Sequence, residues 1–434
     1  MSMIEQVMHP TRYAIDFGTT NSLLAGANAD DVFGPIPLDP RAADPTVLRS
    51  LLFFPDGKRL FLGAEAIHEY GQAGMRGRLI RSIKKHLPSR AFVGTRIEER
   101  PMNLEDLIGA FLSEMRRRAD RHFGCEVKKV LLGRPALFSQ TQEDDRFAQY
   151  RLERAAKIAG FEEIAFCPEP IAAAADYRRR ITEPKLIFVA DFGGGTSDFT
   201  VLRLRPDGYA KEDVLAIGGV SVAGDAYDGA LMRRHVAKHF GAEVTYRVPM
   251  GRNILTMPTS LTTRLCSPAD LSMLTSREAR AWLRDVQRWS LGDDDQARLE
   301  QLFTVIEDGL GFVLFEAIEE AKRALSREES TTVRFTYPTI DVSEPVSRPQ
   351  FQTSTAAATE TILNTLDDTL ARAGVSPAEL DLVCQTGGTA RVPAIADALR
   401  ERFGESRIRP MGAFHSVIGG LAERARDLER EASR

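Results

Sequence analysis

Apolar residues recur along this chain with two different spacings, and each spacing predicts one kind of secondary structure. Short apolar runs bounded by glycine or proline predict strands, whereas apolar positions three or four apart predict helices. Strands are predicted over 12–26 with a turn in the middle, 51–63 as a hairpin, 127–132, 186–191, 199–205, 212–217 and 381–385. Helices are predicted over 103–123, 141–159, 170–177, 354–373, in the charged C-terminal tail and, with polar interruptions, over 229–330. Because strands and helices alternate, the predicted fold class is α/β.

The composition is that of an ordinary globular protein, with 434 residues, 43% of them hydrophobic and 27% charged. This length exceeds what one hydrophobic core usually serves, so we expect two lobes. The net charge of −4 gives no reason to expect nucleic acid or an anionic membrane as a partner. Residues 1–11 have no apolar signal core, and no apolar stretch approaches the roughly 20 residues that span a bilayer. With only four widely spaced cysteines, the sequence predicts a cytoplasmic protein.

Two glycine-rich turns, each opened by an aspartate and preceded by an apolar run, stand far apart in the chain. They are residues 16–22, with the sequence DFGTTNS, and residues 191–198, with the sequence DFGGGTSD. Glycine lets the backbone approach a ligand closely, and free N–H groups and threonine hydroxyls can bind phosphate oxygens. An aspartate beside phosphates needs a cation between them, so Asp16 and Asp191 predict Mg²⁺ held through its waters. Either turn alone is also typical of a plain hairpin, but the repeated pattern favours a phosphate chain gripped from two sides.

Three further segments could contact a nucleotide. Gly387 and Gly388 lie between a strand and a helix, where bare backbone can pass close to a ribose and an α-phosphate. The pair Gly224 and Asp225 closes two strands just before a helix. On the predicted helix 312–326, one stripe is apolar and the opposite stripe is polar, with Glu319, Lys322, Arg323 and Ser326. A guanidinium can stack on a purine, although ordinary turns and a solvated, salt-bridged helix face would give the same patterns.

Taken together, these segments resemble the actin-like ATPase superfamily, and within it the nucleotide-binding domain of the heat-shock protein 70 family. Five segments match in order: 16–22, 168–170 with the alanines that follow, 191–198, 319–326 and 387–393. The resemblance implies a two-lobed fold, built from a duplicated ribonuclease-H-like unit, with a deep nucleotide cleft between the lobes. It assigns 1–190 and 410–434 to lobe I and 191–409 to lobe II, with an enlarged helical subdomain over 229–317.

The resemblance also implies a role for each matching residue, in a protein that binds ATP or ADP with Mg²⁺ and hydrolyses ATP slowly. Glu169 corresponds to a glutamate that acts in Mg²⁺ and water coordination, and Lys84 to a lysine near the γ-phosphate, with Lys85 as an adjacent competitor. The implied catalytic residues are Asp16, Lys84, Glu169, Asp191 and Thr196. The implied nucleotide-binding residues are Gly18, Thr19, Thr20, Asn21, Gly193, Gly194, Gly195, Gly224, Asp225, Glu319, Lys322, Arg323, Ser326, Gly387, Gly388, Thr389 and Arg391.

The chain departs from the family in several places. It ends where the family continues into a peptide-binding β-domain, so we expect a monomeric, nucleotide-dependent switch or chaperone-like protein without peptide binding. Val47 and Phe414 stand where the family usually has a threonine and an aspartate. A small-molecule kinase on the same scaffold, and a filament-forming or partner-binding structural protein, remain alternatives.

The stretch 241–311 is longer than in the family and predicts a surface that binds a protein partner or gates nucleotide release. It contains both tryptophans, Trp282 and Trp289, which stand seven residues apart and would share one face of a helix. Exposed tryptophan and arginine are typical interface anchors. Both indoles could equally anchor the insert to its own lobe.

Overall fold

The computed structural model describes residues 9–139, 141–178, 181–206, 211–410 and 415–433; Phe414 therefore lies outside the described residues. The strands of the described chain, numbered in order, are β1 (Arg12–Phe17), β2 (Asn21–Ala27), β3 (Val32–Phe33), β4 (Leu48–Arg49), β5 (Leu51–Phe54), β6 (Phe61–Leu62), β7 (Arg78–Arg81), β8 (Gly94–Ile97), β9 (Arg100–Asn103), β10 (Lys129–Arg134), β11 (Glu163–Pro168), β12 (Lys185–Phe192), β13 (Ser197–Leu204), β14 (Val214–Val220), β15 (Thr245–Tyr246), β16 (Leu255–Thr256), β17 (Ser330–Tyr337), β18 (Ile340–Ser347), β19 (Leu382–Thr386) and β20 (Ile408–Pro410). The α-helices are α1 (Gly63–Gln72), α2 (Leu104–Phe123), α3 (Gln142–Ile158), α4 (Glu169–Arg178), α5 (Gly224–Leu231), α6 (Thr259–Leu265), α7 (Arg277–Arg288), α8 (Asp295–Glu307), α9 (Gly311–Leu325), α10 (Arg348–Ala373), α11 (Pro393–Phe403) and α12 (His415–Ala432).

Two sheets in the molecule share one topology. In the first sheet the order is β3-β2-β1-β10-β11, with β1 antiparallel to β2 and parallel to β10. In the second sheet the order is β14-β13-β12-β19-β20, with β12 antiparallel to β13 and parallel to β19. The predicted α/β class is therefore confirmed, and the same fold unit occurs twice. In each sheet a glycine turn joins the central strand to its antiparallel neighbour.

The two sheets are connected by the helices α4 and α12, which cross between them. One apolar cluster takes Ala14 and Leu131 from the first sheet, Ile187 and Val189 from the second, and residues of both helices. Small side chains allow the helices to approach closely. The chain along 172–174 is all alanine, and a Cβ on Gly420 would lie 1.7 Å from the carbonyl oxygen of Ala172. The alanine run thus supplies the flat surface on which α12 packs.

The outer face of each sheet is covered by its own helices. On the first sheet α2 and α3 pack over Ile15, Val130 and Leu132. The second sheet is covered on the corresponding face by a larger apolar cluster that includes α5 to α11 and the hairpin β17–β18. Helix α2 begins at the predicted cap, because the side chain of Asn103 accepts a hydrogen bond from the backbone N–H of Asp106.

The structure differs from the sequence prediction mainly between residues 229 and 330. This part of the chain contains the hairpin β15–β16, a π-helical segment at Met232–Val236 and a 3₁₀ segment at Ala237–Phe240. Trp282 lies on α7 and Trp289 is the C-cap residue of that helix, with its N–H still donating to the carbonyl of Asp285, but the two indoles differ in burial. Trp282 is exposed, whereas Trp289 packs against the large cluster. Among the described helices, none is long and apolar enough to cross a membrane.

Candidate functional site

The two glycine turns are closed by the same backbone hydrogen bond. In the first turn the N–H of Gly18 donates to the carbonyl of Asn21 over 3.0 Å, and in the second the N–H of Gly193 donates to the carbonyl of Thr196 over 2.9 Å. A side chain at Gly18 would place its Cβ 2.2 Å from the Asn21 oxygen. This turn can therefore close only around glycine.

The turns face each other across the space between the sheets. A Cβ built on Gly194 would lie 2.3 Å from the hydroxyl oxygen of Thr20, and one on Gly195 would lie 3.2 Å from the methyl of Thr19. The threonines of the first turn thus stand opposite bare backbone of the second turn. Hydroxyl groups and unobstructed amides on two sides form a cradle suited to phosphate oxygens.

Three aspartates lie beside these turns, of which Asp198 is buried and the other two are partly exposed. Asp16 is the second-last residue of β1, Asp191 is the second-last residue of β12, and Asp198 lies directly opposite Asp191 on β13. Burial first, and then the charge of Glu169, raises the pKa of Asp16 to about 8, that of Asp191 to about 7 and that of Asp198 to about 8. At neutral pH this group therefore holds protons that ordinary carboxylates would lose.

A single buried cation stands among these acids. Lys84 lies in the 3₁₀ turn Ile83–His86, and its Nζ donates to Oε1 of Glu169 over 2.8 Å. Burial lowers the pKa of Lys84, but the charges of Glu169 and Asp16 outweigh that effect and the net shift is upward. Lys84 is therefore protonated, while its neighbour Lys85 is exposed to solvent.

Asp198 was not among the residues selected from the sequence, although a signal for it exists there. In a hairpin, residues that lie equally far before and after the centre of the turn face each other on the two strands. The turn here is centred on residues 194–195, so Asp191 faces Asp198. Its Oδ1 is buried and has no hydrogen-bond partner among the described residues. A buried carboxylate oxygen without a partner is costly, and it suits an ion or water that binds with the substrate.

The second turn is held from behind by three predicted residues. The hydroxyl of Thr389 donates to the carbonyl of Gly193 over 2.8 Å, and the N–H of Asp225 donates to the carbonyl of Gly194 over 2.7 Å. Lys322 donates to the buried carboxylate of Asp228 at 2.8 Å and to the carbonyl of Gly224 at 3.2 Å. Thr389 and Asp225 thus bond the turn directly, whereas Lys322 holds Gly224, whose own N–H donates to the carbonyl of Gly193 over 3.3 Å.

The remaining residues predicted to bind the nucleotide differ in their hydrogen bonding and in their exposure to solvent. Oε2 of Glu319 is buried without a hydrogen-bond partner, and Oε1 lies 3.6 Å from the half-exposed guanidinium of Arg323. The hydroxyl of Ser326 is already used, because it donates to the carbonyl of Lys322 in its own helix. Arg391 is exposed. Gly387 packs against the backbone of Phe192, whereas a Cβ on Gly388 would meet open space.

Arg49 is a second residue that the sequence did not reveal. Its guanidinium, on β4, donates to both carboxylate oxygens of Glu316 on α9, over 3.1 and 2.7 Å, and lies 3.9 Å from Glu319. This ion pair joins a strand of the first sheet to the helix that carries the predicted adenosine contacts. Nothing in the local pattern around Arg49 indicates a partner 267 positions away.

The carboxylates fit a hydrated divalent cation. Oxygen donors are what Mg²⁺ prefers, and Mg²⁺ commonly keeps several of its waters. In the described parts of the chain no three His, Cys, Asp or Glu side chains are close enough to hold a metal ion by themselves. The carboxyl groups of Asp16, Asp191 and Asp198 could bond the waters of such a cation, and its charge would favour their ionised forms.

Comparison with known proteins identifies relatives across nearly the whole chain. The family model described as Hsp70 protein matches residues 61–256 and 312–426, which is more than half of the chain, and leaves residues 1–60, 257–311 and 427–434 unmatched. The chaperone protein DnaK of Thermosipho africanus (strain TCF52B) is 24% identical over 428 residues, which cover 96% of this chain and 59% of that protein.

Two further chaperone proteins DnaK are equally similar. The protein of Thermosipho melanesiensis is 24% identical over 429 residues, with 96% of this chain and 59% of the relative covered. The protein of Thermotoga neapolitana is 24% identical over 422 residues, with 95% and 58% covered. The chain thus spans less than two thirds of the length of the curated relatives that it matches.

Proposed function

Because the chain belongs to the Hsp70 protein family, we propose that it binds ATP with Mg²⁺ in a cleft between two lobes and hydrolyses it slowly to ADP. The observation that carries this proposal is the pair of facing glycine turns with buried carboxyl groups and one buried lysine beside them. The repeated sheet topology supports the same proposal, because an equivalent glycine turn follows the central strand of each sheet.

In this proposal the two glycine turns bind the phosphate groups of ATP. The hydroxyls of Thr19, Thr20 and Thr196 would donate to phosphate oxygens, and the bare backbone at Gly194 and Gly195 would let the phosphate chain approach. These groups are already in place in the folded chain, so little reorganisation is needed when charge develops. Mg²⁺, when bound, supplies positive charge to the phosphate oxygens.

In this proposal hydrolysis depends on the acids beside the turns and on Lys84. Asp191 and Glu169 would orient a water for in-line attack on the γ-phosphoryl group, and Asp198 stands close enough to share in this. A carboxyl group with a pKa of about 7 can accept a proton from water near neutral pH. Lys84 would balance negative charge that moves toward the leaving oxygens, and its bond to Glu169 fixes its direction.

The nucleoside end would lie between α9 and the loop after β19. Glu319, whose Oε2 lacks a partner, would accept a hydrogen bond from the ribose or base, and the half-exposed Arg323 would stack on the purine. Lys322 would act through Gly224 and Asp228 of α5, and Ser326 through the backbone of its own helix, because those are the groups to which they already donate. The open side of Gly388, with Arg391 at the rim, leaves room for the sugar.

Two variants and one control test this proposal. In Asp191→Asn and Lys84→Ala we expect ATP hydrolysis to fall about a hundredfold or more, because both groups act where charge changes. The affinity for Mg-ADP should fall much less. Lys85→Ala changes a neighbouring, exposed lysine and should leave both quantities near the native values. Equal losses of hydrolysis and ADP affinity would reduce Asp191 and Lys84 to binding groups, and an inactive Lys85→Ala protein would move the catalytic role to Lys85.

We further propose that the insert binds a protein partner. More than half of the large apolar side chains that the described chain exposes lie in it: Val248, Met250, Ile254, Leu255, Trp282 and Leu291. The N–H of Leu291 donates to the carbonyl of Thr245, so the β15–β16 hairpin and the segment after α7 lie side by side. An exposed apolar patch of this kind favours a binding surface.

The partner proposal is tested with substitutions on the hairpin loop. The doubly substituted protein Met250→Ser, Ile254→Ser should lose the partners that the native protein recovers from cells in the presence of ATP or ADP. Val93→Ser, at an exposed apolar residue elsewhere, is the matched control. The proposal fails when the double variant recovers the same proteins in the same amounts as native and control.

A further inference from the structure

A second cavity, of about 870 Å³, lies beside the phosphate site without including its acids or Lys84. One wall is formed by β7 and the turn Ile83–His86. The opposite wall is formed by the segment from Arg264 to Glu278 and by Phe312 at the start of α9. The cavity therefore opens between elements attached to the first sheet and elements attached to the second. Nothing in the proposed ATP site uses it.

The walls combine apolar surface with positive charge. Arg76, Arg78, Arg81 and Arg264 line the cavity, together with apolar side chains such as Leu107, Leu271 and Phe312. Its two acids, Glu278 and Glu307, are exposed. Within the described ranges no carboxylate lies within ion-pair distance of Arg78, Arg81 or Arg264. The interior of the cavity is therefore positive, and its rim carries the balancing charge.

Two buried guanidinium nitrogens in this wall have no hydrogen-bond partner: Nε of Arg78 and Nη1 of Arg81. The Nη2 of Arg78 donates to the hydroxyl of Thr95 over 3.1 Å, and the guanidinium of Arg81 stands 5.9 Å from the centre of the Phe312 ring. A charged donor buried without an acceptor is costly, and burial also lowers the pKa of Arg78. Arginine cannot escape this cost by losing its proton.

Glu316, the acid whose pKa Arg81 lowers, does not supply the missing acceptor for Arg81. Arg81 lowers the pKa of Glu316, so the two groups are near each other, but both oxygens of that carboxylate already accept hydrogen bonds from Arg49. Arg78 and Arg81, the first and last residues of β7, thus both line the cavity with a buried donor that has no oxyanion partner among the described residues.

We propose that this cavity is a second ligand site, which binds a small organic anion with a phosphate or carboxylate head and an apolar body. The head would accept hydrogen bonds from Arg78 and Arg81, whose planar guanidinium groups match the oxygens of either head group. The apolar body would pack against Leu107, Leu271 and Phe312. A cavity of this volume suits a small molecule.

The site is separate from the phosphate site but shares one element with it. Ile83 and His86 line the cavity, while Lys84 between them bonds Glu169 on the other side of the turn. Ser82, just before this turn, has a φ of +54°, which non-glycine residues rarely adopt. A ligand in the cavity would therefore touch the same short turn that positions Lys84.

Calorimetric titration of the full chain with three probes tests the proposal. Phenyl phosphate and benzoate supply the two head groups, and benzyl alcohol supplies the apolar body without charge. At least one anion should bind with a stoichiometry of one, and benzyl alcohol should not. In Arg78→Gln and in Arg81→Gln the dissociation constant should rise about tenfold or more, because each loses a charge-assisted hydrogen bond. Arg96→Gln, at an exposed arginine of the neighbouring hairpin, should bind like the native protein.

Controls separate this cavity from the phosphate site. Lys84→Ala should keep the anion affinity within a few-fold of native, and an excess of Mg-ADP should not displace the anion. Loss of binding in Lys84→Ala with full binding in both arginine variants, or competition by Mg-ADP, would place the anion in the phosphate site and overturn the proposal. Absence of binding to the native protein at millimolar concentrations of both anions would overturn it as well. If Arg78→Gln fails to fold, Arg81→Gln decides the outcome alone.

Discussion

Single glycines allow backbone segments around the candidate site to pack closely against each other. Two neighbouring glycines, Gly387 and Gly388, differ strongly in how much space surrounds them. Gly387 has a φ of +86°, and a Cβ there would lie 2.0 Å from the carbonyl oxygen of Phe192. Gly388, the next residue, has a helical backbone and open space around its missing side chain. The first glycine is therefore required by the fold, and the second is required only if a ligand passes close to it.

Replacing these two glycines by alanine should separate a folding role from a binding role. Gly387→Ala should lower the free energy of unfolding by about 1–3 kcal/mol, because the backbone is strained and Phe192 cannot move away. Gly388→Ala should change that free energy by no more than about 0.5 kcal/mol, yet weaken ADP binding. Urea unfolding and nucleotide titration measure the two effects. A Gly388→Ala protein with native ADP affinity would show that the nucleotide does not approach this residue.

The three aspartates beside the turns predict how stability depends on pH in the absence of ligand. The pKa values of Asp16, Asp191 and Asp198, about 8, 7 and 8, lie well above the ordinary value of 3.8. Between pH 3.8 and about 8 the folded chain therefore binds protons that the unfolded chain has released. The contribution of these three aspartates to the free energy of unfolding is fully present at or below the ordinary pKa and is lost as the pH rises toward 8.

Asp198→Asn tests this dependence without changing the shape of the side chain. The native protein should become less stable between about pH 5 and about pH 8, and the variant should lose less stability over the same interval. Urea unfolding at the two pH values, without nucleotide or Mg²⁺, measures the difference. The prediction is wrong if the two proteins show the same change with pH.

Among the elements, the insert is part of the core and is not an appendage. Leu261, Leu283, Leu299 and Ile306, all between residues 257 and 311, belong to the cluster that also contains Phe188 and Phe199 of the second sheet. Removing the whole insert would therefore expose the core of that half of the molecule. Single residues on the two faces of α7 are the better probes of its role.

On α7, replacing two adjacent residues by alanine should lower the free energy of unfolding by very different amounts. Leu283 is fully buried, so Leu283→Ala should cost about 2–5 kcal/mol of unfolding free energy. Trp282 is 45% exposed, and Trp282→Ala should cost about 1 kcal/mol or less while weakening partner binding. Chemical unfolding of both proteins checks the contrast. A large loss of stability in Trp282→Ala would mean that this indole anchors the insert and does not bind a partner.

At the scale of the whole molecule, two copies of one sheet topology are held together by the crossing of α4 and α12. The facing turns lie between the sheets, so a ligand gripped by both turns would connect the two halves. The Arg49–Glu316 ion pair already makes one such connection between the first sheet and α9. Nucleotide binding should therefore stabilise the molecule as a unit.

The prediction at this scale is stabilisation by Mg-ATP. A ligand that binds only the folded state adds about 2.7 kcal/mol at a hundredfold excess over its dissociation constant. Thermal unfolding should shift upward with Mg-ATP, and much less with ATP and a chelator, since the phosphate charge beside these acids is then not balanced by a cation. An unchanged transition at saturating Mg-ATP would contradict the proposed function.

The local sequence determined most of the elements and the identity of the two turns. Helix α2 begins after Asn103 as predicted, and the strand-turn-strand of 12–26 forms β1 and β2. Glycine, aspartate and capping residues act over a few positions, so their effects are readable from the sequence alone. The predictions failed between residues 229 and 330, where a short hairpin and tight helical turns interrupt the predicted helix, because packing against the large cluster decides those conformations.

Only the tertiary structure decided which of these residues meet. The sequence placed Asp16 and Asp191 at the ends of two strands, but the crossing of α4 and α12 brought them together with Glu169 and Lys84. Their high pKa values, the opposition of Thr20 to Gly194, and the unpaired arginines of the second cavity all arise from this assembly. Burial and distance depend on every layer of the fold at once, and no single segment contains that information.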